Sequence, residues 1–67
     1  MAYKKNKMFM SVLSELCGLD WFNCIVSEEE AEEIYKRVKT DKTLDWNSYG
    51  DVRYATYEVM VNLGYNY

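Results

Sequence analysis

Residues 27–39 read SEEEAEEIYKRVK, and this stretch contains the clearest helix start in the chain. Ser27 and Glu30 match a capping box, in which each side chain accepts a hydrogen bond from the other residue's backbone amide at the start of a helix. Four apolar residues then repeat at the spacing of one helical face. They are Ala31, Ile34, Tyr35 and Val38. The pattern predicts a helix over about 28–39, with basic residues at its end, where cations suit the helix dipole.

A second helix is predicted upstream, over about 6–17. Its apolar residues also follow one helical face, and Gly18 stands where a left-handed helix stop would be. The inward residues are Phe9, Val12, Leu13, Leu16 and Cys17. The preceding lysines, Lys4, Lys5 and Lys7, are expected to lie on a mobile N-terminus.

A third helix is predicted downstream, over about 49–63. Ser48 would be its N-cap, with Asp51 in the reciprocal position. Gly64 would end it, with Tyr65 packing back on Met60 in a Schellman-type stop. The expected inward stripe is Val52, Ala55, Thr56, Val59 and Leu63.

These segments predict a single all-α domain over residues 1–67, a compact bundle of three short helices. Residues 19–26 are too apolar for a solvated loop, so we expect an extended segment that lies over the bundle. The alternative is an α+β fold with a small hairpin. We prefer the all-α fold because this chain offers few strands that could pair with the amides of a lone strand.

Composition removes several classes of function. The chain has 67 residues, no histidine and a net charge of −3, which excludes Ser-His or Cys-His nucleophilic pairs and His-type zinc sites. Cys17 and Cys24 alone are too few for a metal site, so we expect buried thiols, no metal and no cofactor. A chain this short struggles to enclose a substrate pocket, so we do not expect an enzyme. Without a long apolar run the expected location is cytoplasmic, with no contact to a membrane.

The predicted third helix carries a second apolar ridge, formed by Tyr54, Tyr57 and Val61, opposite its inward stripe. A helix that is apolar on both sides should be buried on both sides. Three coverings stay open: residues 21–26 of the same chain, a second copy in a homodimer, or another protein. Four further aromatic residues would extend such a contact patch. They are Trp46, Tyr49, Tyr65 and Tyr67.

Five carboxylates fall within residues 28–33. One interpretation is a solvated helix face in which Glu32 pairs with Lys36 and Glu33 with Arg37 at favourable spacing. The other is electrostatic steering toward a basic partner protein. In that hypothesis the steering charges are Glu29, Glu32 and Glu33.

In size, acidity and aromatic content the chain is similar to the small acidic proteins that bacteriophages and other mobile elements encode to block one host protein. That resemblance implies a non-catalytic protein-binding module, an inhibitor of a host nucleic-acid-handling or defence protein. The alternative is a small DNA-binding transcriptional regulator, although a negative net charge repels phosphates. Its basic residues would be Lys4, Lys5, Lys7, Lys36, Arg37 and Lys39. A structural subunit of a larger assembly is a third hypothesis.

Overall fold

The computed structural model describes residues 2–19, 22 and 26–65. Three helices pack into the predicted all-α bundle: α1 spans Lys7–Cys17, α2 spans Glu28–Lys39 and α3 spans Tyr49–Asn62. A short 3₁₀ helix, Ala2–Lys5, precedes them. Within the described ranges there is no strand to support the hairpin alternative. None of the helices in these ranges has the length and apolar character needed to cross a membrane.

The capping box at the start of α2 is confirmed. Ser27 Oγ accepts from the Glu30 amide and Glu30 Oε1 accepts from the Ser27 amide, both at 3.2 Å. The predicted inward face of α2 is buried at all four positions: Ala31, Ile34, Tyr35 and Val38. Local capping and tertiary burial therefore agree along this helix.

The start of α1 is capped by Asn6, whose Oδ1 accepts from the Phe9 amide at 3.0 Å. Its end differs from the prediction, because Gly18 has φ −83° and ψ −6°, which is right-handed. The amides of Gly18 and Leu19 continue to carbonyls three residues back, each at 3.1 Å. The last turn of α1 thus narrows to hydrogen bonds between residues three apart, and the predicted left-handed stop at Gly18 is wrong.

The end of α3 is the predicted Schellman motif. Gly64 has φ +89°, a conformation that glycine adopts without steric cost. The Tyr65 amide donates to the Met60 carbonyl and the Gly64 amide to the Val61 carbonyl, each at 3.0 Å. At the other end Ser48 Oγ accepts from the Asp51 amide at 3.4 Å, so Ser48 is the N-cap.

The inward face of α3 is rotated from the predicted stripe. Val52, Thr56 and Met60 are fully buried, whereas Leu63 is 36% exposed. Ala55 and Val59 are half-buried. At 100° per residue this moves the buried face by roughly 45°. The physical reason is that α3 packs against both α1 and α2, so its buried face is set by two neighbours.

The first described residues, from Ala2 to Lys5, are also anchored, which makes the expectation that Lys4 and Lys5 are mobile wrong. Tyr3 is only 7% exposed, and its ring meets that of Phe9 edge-on at a centroid distance of 6.2 Å. Lys4 Nζ lies 2.6 Å from Glu28 Oε1. The Ala2 amide donates to Glu32 Oε1 at 2.8 Å. Burial of one aromatic ring thus fixes the 3₁₀ helix against α1 and α2.

Candidate protein-binding surface

Tyr54 is the most exposed large hydrophobic side chain among the described residues, at 64%. It lies in the middle of α3, so its backbone is held by the helix on both sides. A hollow lies on either side of it. Tyr54 is therefore an aromatic side chain on a rigid element that is free to contact another molecule.

On one side of Tyr54 is a groove of about 420 Å³ between the end of α2, the loop that follows it and the outer face of α3. We call it the α2–α3 groove. Its apolar part is Val38, Leu44, Ala55 and Val59, and its polar part is Arg37, Asp41, Thr43, Asp51, Glu58 and Asn62. Tyr54 forms the remainder of the lining. The groove combines an apolar strip with charged residues.

The charge of the α2–α3 groove is predominantly negative. Three carboxylates line it, whereas its single cation, Arg37, has its Nε 3.2 Å from Glu33 Oε2. Asp41 accepts from Thr43 Oγ1 at 2.6 Å and from the Thr43 amide at 3.0 Å. These hydrogen bonds lower the pKa of Asp41, the hydroxyl bond most. The groove therefore favours a cationic ligand at neutral pH.

On the other side of Tyr54 is a second hollow, lined by Gly50, Arg53, Tyr54 and Tyr57. Arg53 is held at one edge, since its Nε donates to Glu15 Oε2 on α1. The Tyr49 hydroxyl donates to Oε1 of the same carboxylate at 2.8 Å. The Arg53 hydrogen bond, more than that from Tyr49, lowers the pKa of Glu15. The cluster ties α1 to the start of α3 and leaves Tyr49 38% exposed.

The predicted ridge of Tyr54, Tyr57 and Val61 is divided by the fold. Tyr57 and Val61 are half-buried and pack against the core. The Phe22 ring meets that of Tyr57 edge-on, with centroids 5.6 Å apart and planes at 85°. Phe22 thus covers part of the ridge, as one of the three alternatives expects. Residues 21 and 23–25 of that segment, with Cys24 among them, lie outside the described residues.

The aromatic residues predicted to extend the patch lie in different places. Trp46 is half-buried and packs against Tyr35, with ring centroids 6.0 Å apart. Tyr65 is half-buried and its hydroxyl donates to Glu30. Tyr67 lies outside the described residues. Of the described members of this group, Tyr49 is therefore the most exposed, at 38%.

The predicted steering glutamates also differ from one another. Glu29 is exposed on the first turn of α2, and the pair of Glu33 with Arg37 is confirmed. The pair of Glu32 with Lys36 is wrong, because Glu32 accepts from the Ala2 amide. The sequence pattern does not predict the 3₁₀ helix. The hydrogen bond from its Ala2 amide to Glu32 is therefore not expected from the sequence.

The α2–α3 groove was also missed, although α3 carries a signal for it. Its lining residues on α3 repeat at one-face spacing. They are Asp51, Tyr54, Ala55, Glu58, Val59 and Asn62. The opposite wall comes from α2 and the loop after it, and only the tertiary packing brings that wall alongside.

Comparison with known proteins yields no relative for this chain. No family model matches it, and no curated protein or solved structure matches it. The physical properties of its surface are therefore the basis for a functional proposal.

Proposed function

We propose that this chain is a non-catalytic protein-binding module whose contact surface centres on Tyr54. The observation that carries the proposal is the 64% exposure of this aromatic ring on a helix that packs against both α1 and α2. Tyrosine supplies a large contact area at small entropic cost, and aromatic side chains are enriched among the residues that dominate interface energies.

The surroundings of Tyr54 support an anchor role. The adjacent Tyr57 is held by the edge of the Phe22 ring, and Arg53 is held by Glu15. The hollow between these residues is thus preorganised, which reduces the entropy lost on binding. An interface with this geometry needs no large rearrangement of the chain.

A more specific form of the proposal is inhibition of a host nucleic-acid-handling or defence protein. It is supported by the resemblance of the sequence profile to small acidic proteins of bacteriophages and mobile elements. The charge of the α2–α3 groove adds support, because proteins that handle nucleic acid present basic surfaces. For the DNA-binding alternative, two of the required cations, Lys4 and Arg37, are engaged with carboxylates, which favours the protein-binding hypothesis.

The test is affinity capture from a lysate of the source cells with wild-type protein and Tyr54→Ala, followed by titration of the purified partner. Met10→Ala is the matched control, because Met10 is 41% exposed on a different helix. We expect Tyr54→Ala to weaken binding by at least about tenfold, with Met10→Ala close to wild type. Equal binding by both variants, or the lack of any partner that depends on Tyr54, would refute the proposal.

A further inference from the structure

The carboxylates of the α2–α3 groove have a regular arrangement along α3. Asp51 and Glu58 are seven residues apart, which is two helical turns or about 10 Å along the axis. Ala55 and the exposed Tyr54 lie between them on the same face. The face therefore presents negative charge, then apolar surface, then negative charge.

The third carboxylate, Asp41, lies on the opposite wall in the loop after α2. Its two hydrogen bonds from Thr43 fix its position. The half-buried Leu44 extends the apolar strip on that wall. Charge and apolar surface thus occur on both sides of the groove, which is the pattern that receives an amphipathic helix.

From this complementarity we infer that the α2–α3 groove binds a cationic amphipathic helix of the partner protein, with an apolar side chain on the strip and Lys or Arg about two turns apart toward Asp51 and Glu58. This inference rests on the proposed function and names the chemistry of the partner. The helix would lie along α3, with Tyr54 against its apolar face.

The same comparison of charges makes a second copy of this chain a poorer ligand for the α2–α3 groove than a basic helix. Two of the basic residues at the end of α2 are engaged within the molecule: Arg37 pairs with Glu33, and Lys39 Nζ lies 5.1 Å from the centre of the Tyr35 ring. The net charge of −3 also opposes association of two copies. A foreign basic segment meets neither obstacle.

The experiment uses a display library of random peptides of about 16 residues, roughly four helical turns, selected on the immobilised full chain. We expect the enriched peptides to carry Lys or Arg two turns apart around an apolar residue. Their affinity should fall as salt rises to about 0.15 M. Selection of neutral or acidic peptides, or peptide affinities that do not change with salt, would overturn the inference.

Matched variants locate the binding site. Asp51→Asn combined with Glu58→Gln should weaken the selected peptides by at least about fivefold. Ser11→Lys combined with Ser14→Lys makes the same change of net charge on the exposed side of α1, outside the groove lining, and should leave binding within about twofold. If both pairs of substitutions weaken peptide binding equally, the effect comes from net charge alone, and the inference is overturned. Circular dichroism melting checks that each variant is folded, and the salt dependence on wild type tests the inference without any variant.

Sedimentation of the wild-type chain tests the second-copy alternative. Self-association that the Asp51→Asn, Glu58→Gln pair abolishes would overturn the inference in favour of a homodimer. The two proposals fail separately. If partner capture requires Tyr54 but is unchanged by the Asp51→Asn, Glu58→Gln pair, only the inference of a cationic helix is rejected. If capture does not require Tyr54, the proposed function is rejected.

Discussion

The Tyr65 hydroxyl donates a hydrogen bond to Oε2 of Glu30, joining the turn after α3 to the first turn of α2. The other oxygen of that carboxylate accepts from the Ser27 amide. One side chain therefore caps α2 and anchors the end of α3. The Tyr65 bond, ahead of the bonds to Ser27, lowers the pKa of Glu30. Burial, followed by the Glu30 bond, raises the pKa of Tyr65 to about 12.

The first prediction concerns alkaline pH. Since the pKa of Tyr65 is about 12 in the fold against an ordinary 10.0, the folded chain holds this proton more tightly than the unfolded chain. Its contribution to stability is complete below pH 10 and is lost as pH rises toward 12. We expect Tyr65→Phe to reduce the fall in stability over this range, measured by denaturant unfolding. Tyr54→Phe, on an exposed ring, is the control, and an equal reduction by both would contradict the assignment.

The second prediction separates two neighbouring tyrosines of α3. Tyr57→Glu places a charge against Phe22 and the core, so we expect it to unfold the domain. Tyr54→Glu changes an exposed side chain, so its free energy of unfolding should stay within about 0.5 kcal/mol of wild type. Thermal unfolding followed by circular dichroism measures both. A Tyr57→Glu protein as stable as wild type would show that the ring does not pack against the core, and Tyr57→Phe controls for loss of the hydroxyl.

The third prediction concerns a polar atom in the core. Thr56 is fully buried, and within the described part of the chain its Oγ1 has no hydrogen-bond partner. Because an unsatisfied buried hydroxyl is destabilising, the isosteric Thr56→Val should raise the free energy of unfolding by about 1 kcal/mol. The melting temperature should rise by about 4–8 °C.

Thr40→Val is the contrasting variant. Thr40 Oγ1 donates to the Arg37 carbonyl at 2.6 Å, so the same substitution there removes a bond and should lower the melting temperature slightly. Two shifts of the same sign would show that the orphan hydroxyl of Thr56 is not the cause.

The fourth prediction concerns acid. Glu15 accepts from Arg53 and Tyr49, and its pKa lies below the ordinary 4.5. The stability that this carboxylate contributes is present above pH 4.5 and is lost as pH falls through its lower folded value. The melting temperature of wild type should therefore exceed that of Glu15→Gln at neutral pH, by a margin that shrinks below pH 4.5. In an Arg53→Leu background the margin should already be small at neutral pH, and an undiminished margin there would reject this account.

The sequence predicts most of the fold because its signals are local. The Ser27 and Glu30 cap and the glycine at 64 act within a few residues, and both are confirmed. Gly18 was mispredicted because a glycine permits the left-handed conformation without requiring it. The buried face of α3 differs from the predicted stripe because α3 packs against both α1 and α2, which periodicity alone does not specify.

The candidate surface was predictable only in part. The apolar character of Tyr54, Tyr57 and Val61 is visible in the sequence, but their division into one exposed and two half-buried residues is decided by tertiary packing. Phe22 is distant in sequence from Tyr57 and covers it only in the fold. The groove likewise needs Asp41 and Leu44 beside α3. Long-range packing of this kind produces no periodic pattern in the amino-acid sequence.

Both ends of the described chain attach to the beginning of α2, through Lys4 to Glu28 and Tyr65 to Glu30. A chain emerging from the ribosome can form α1 and α2 early, since their contacts are local. The first turn of α2 gains its second attachment only when Tyr65 has left the exit tunnel. Completion of the domain is thereby delayed until Tyr65 has cleared the tunnel, and nascent chains whose exposed part ends before it lack this contact between the end of α3 and α2.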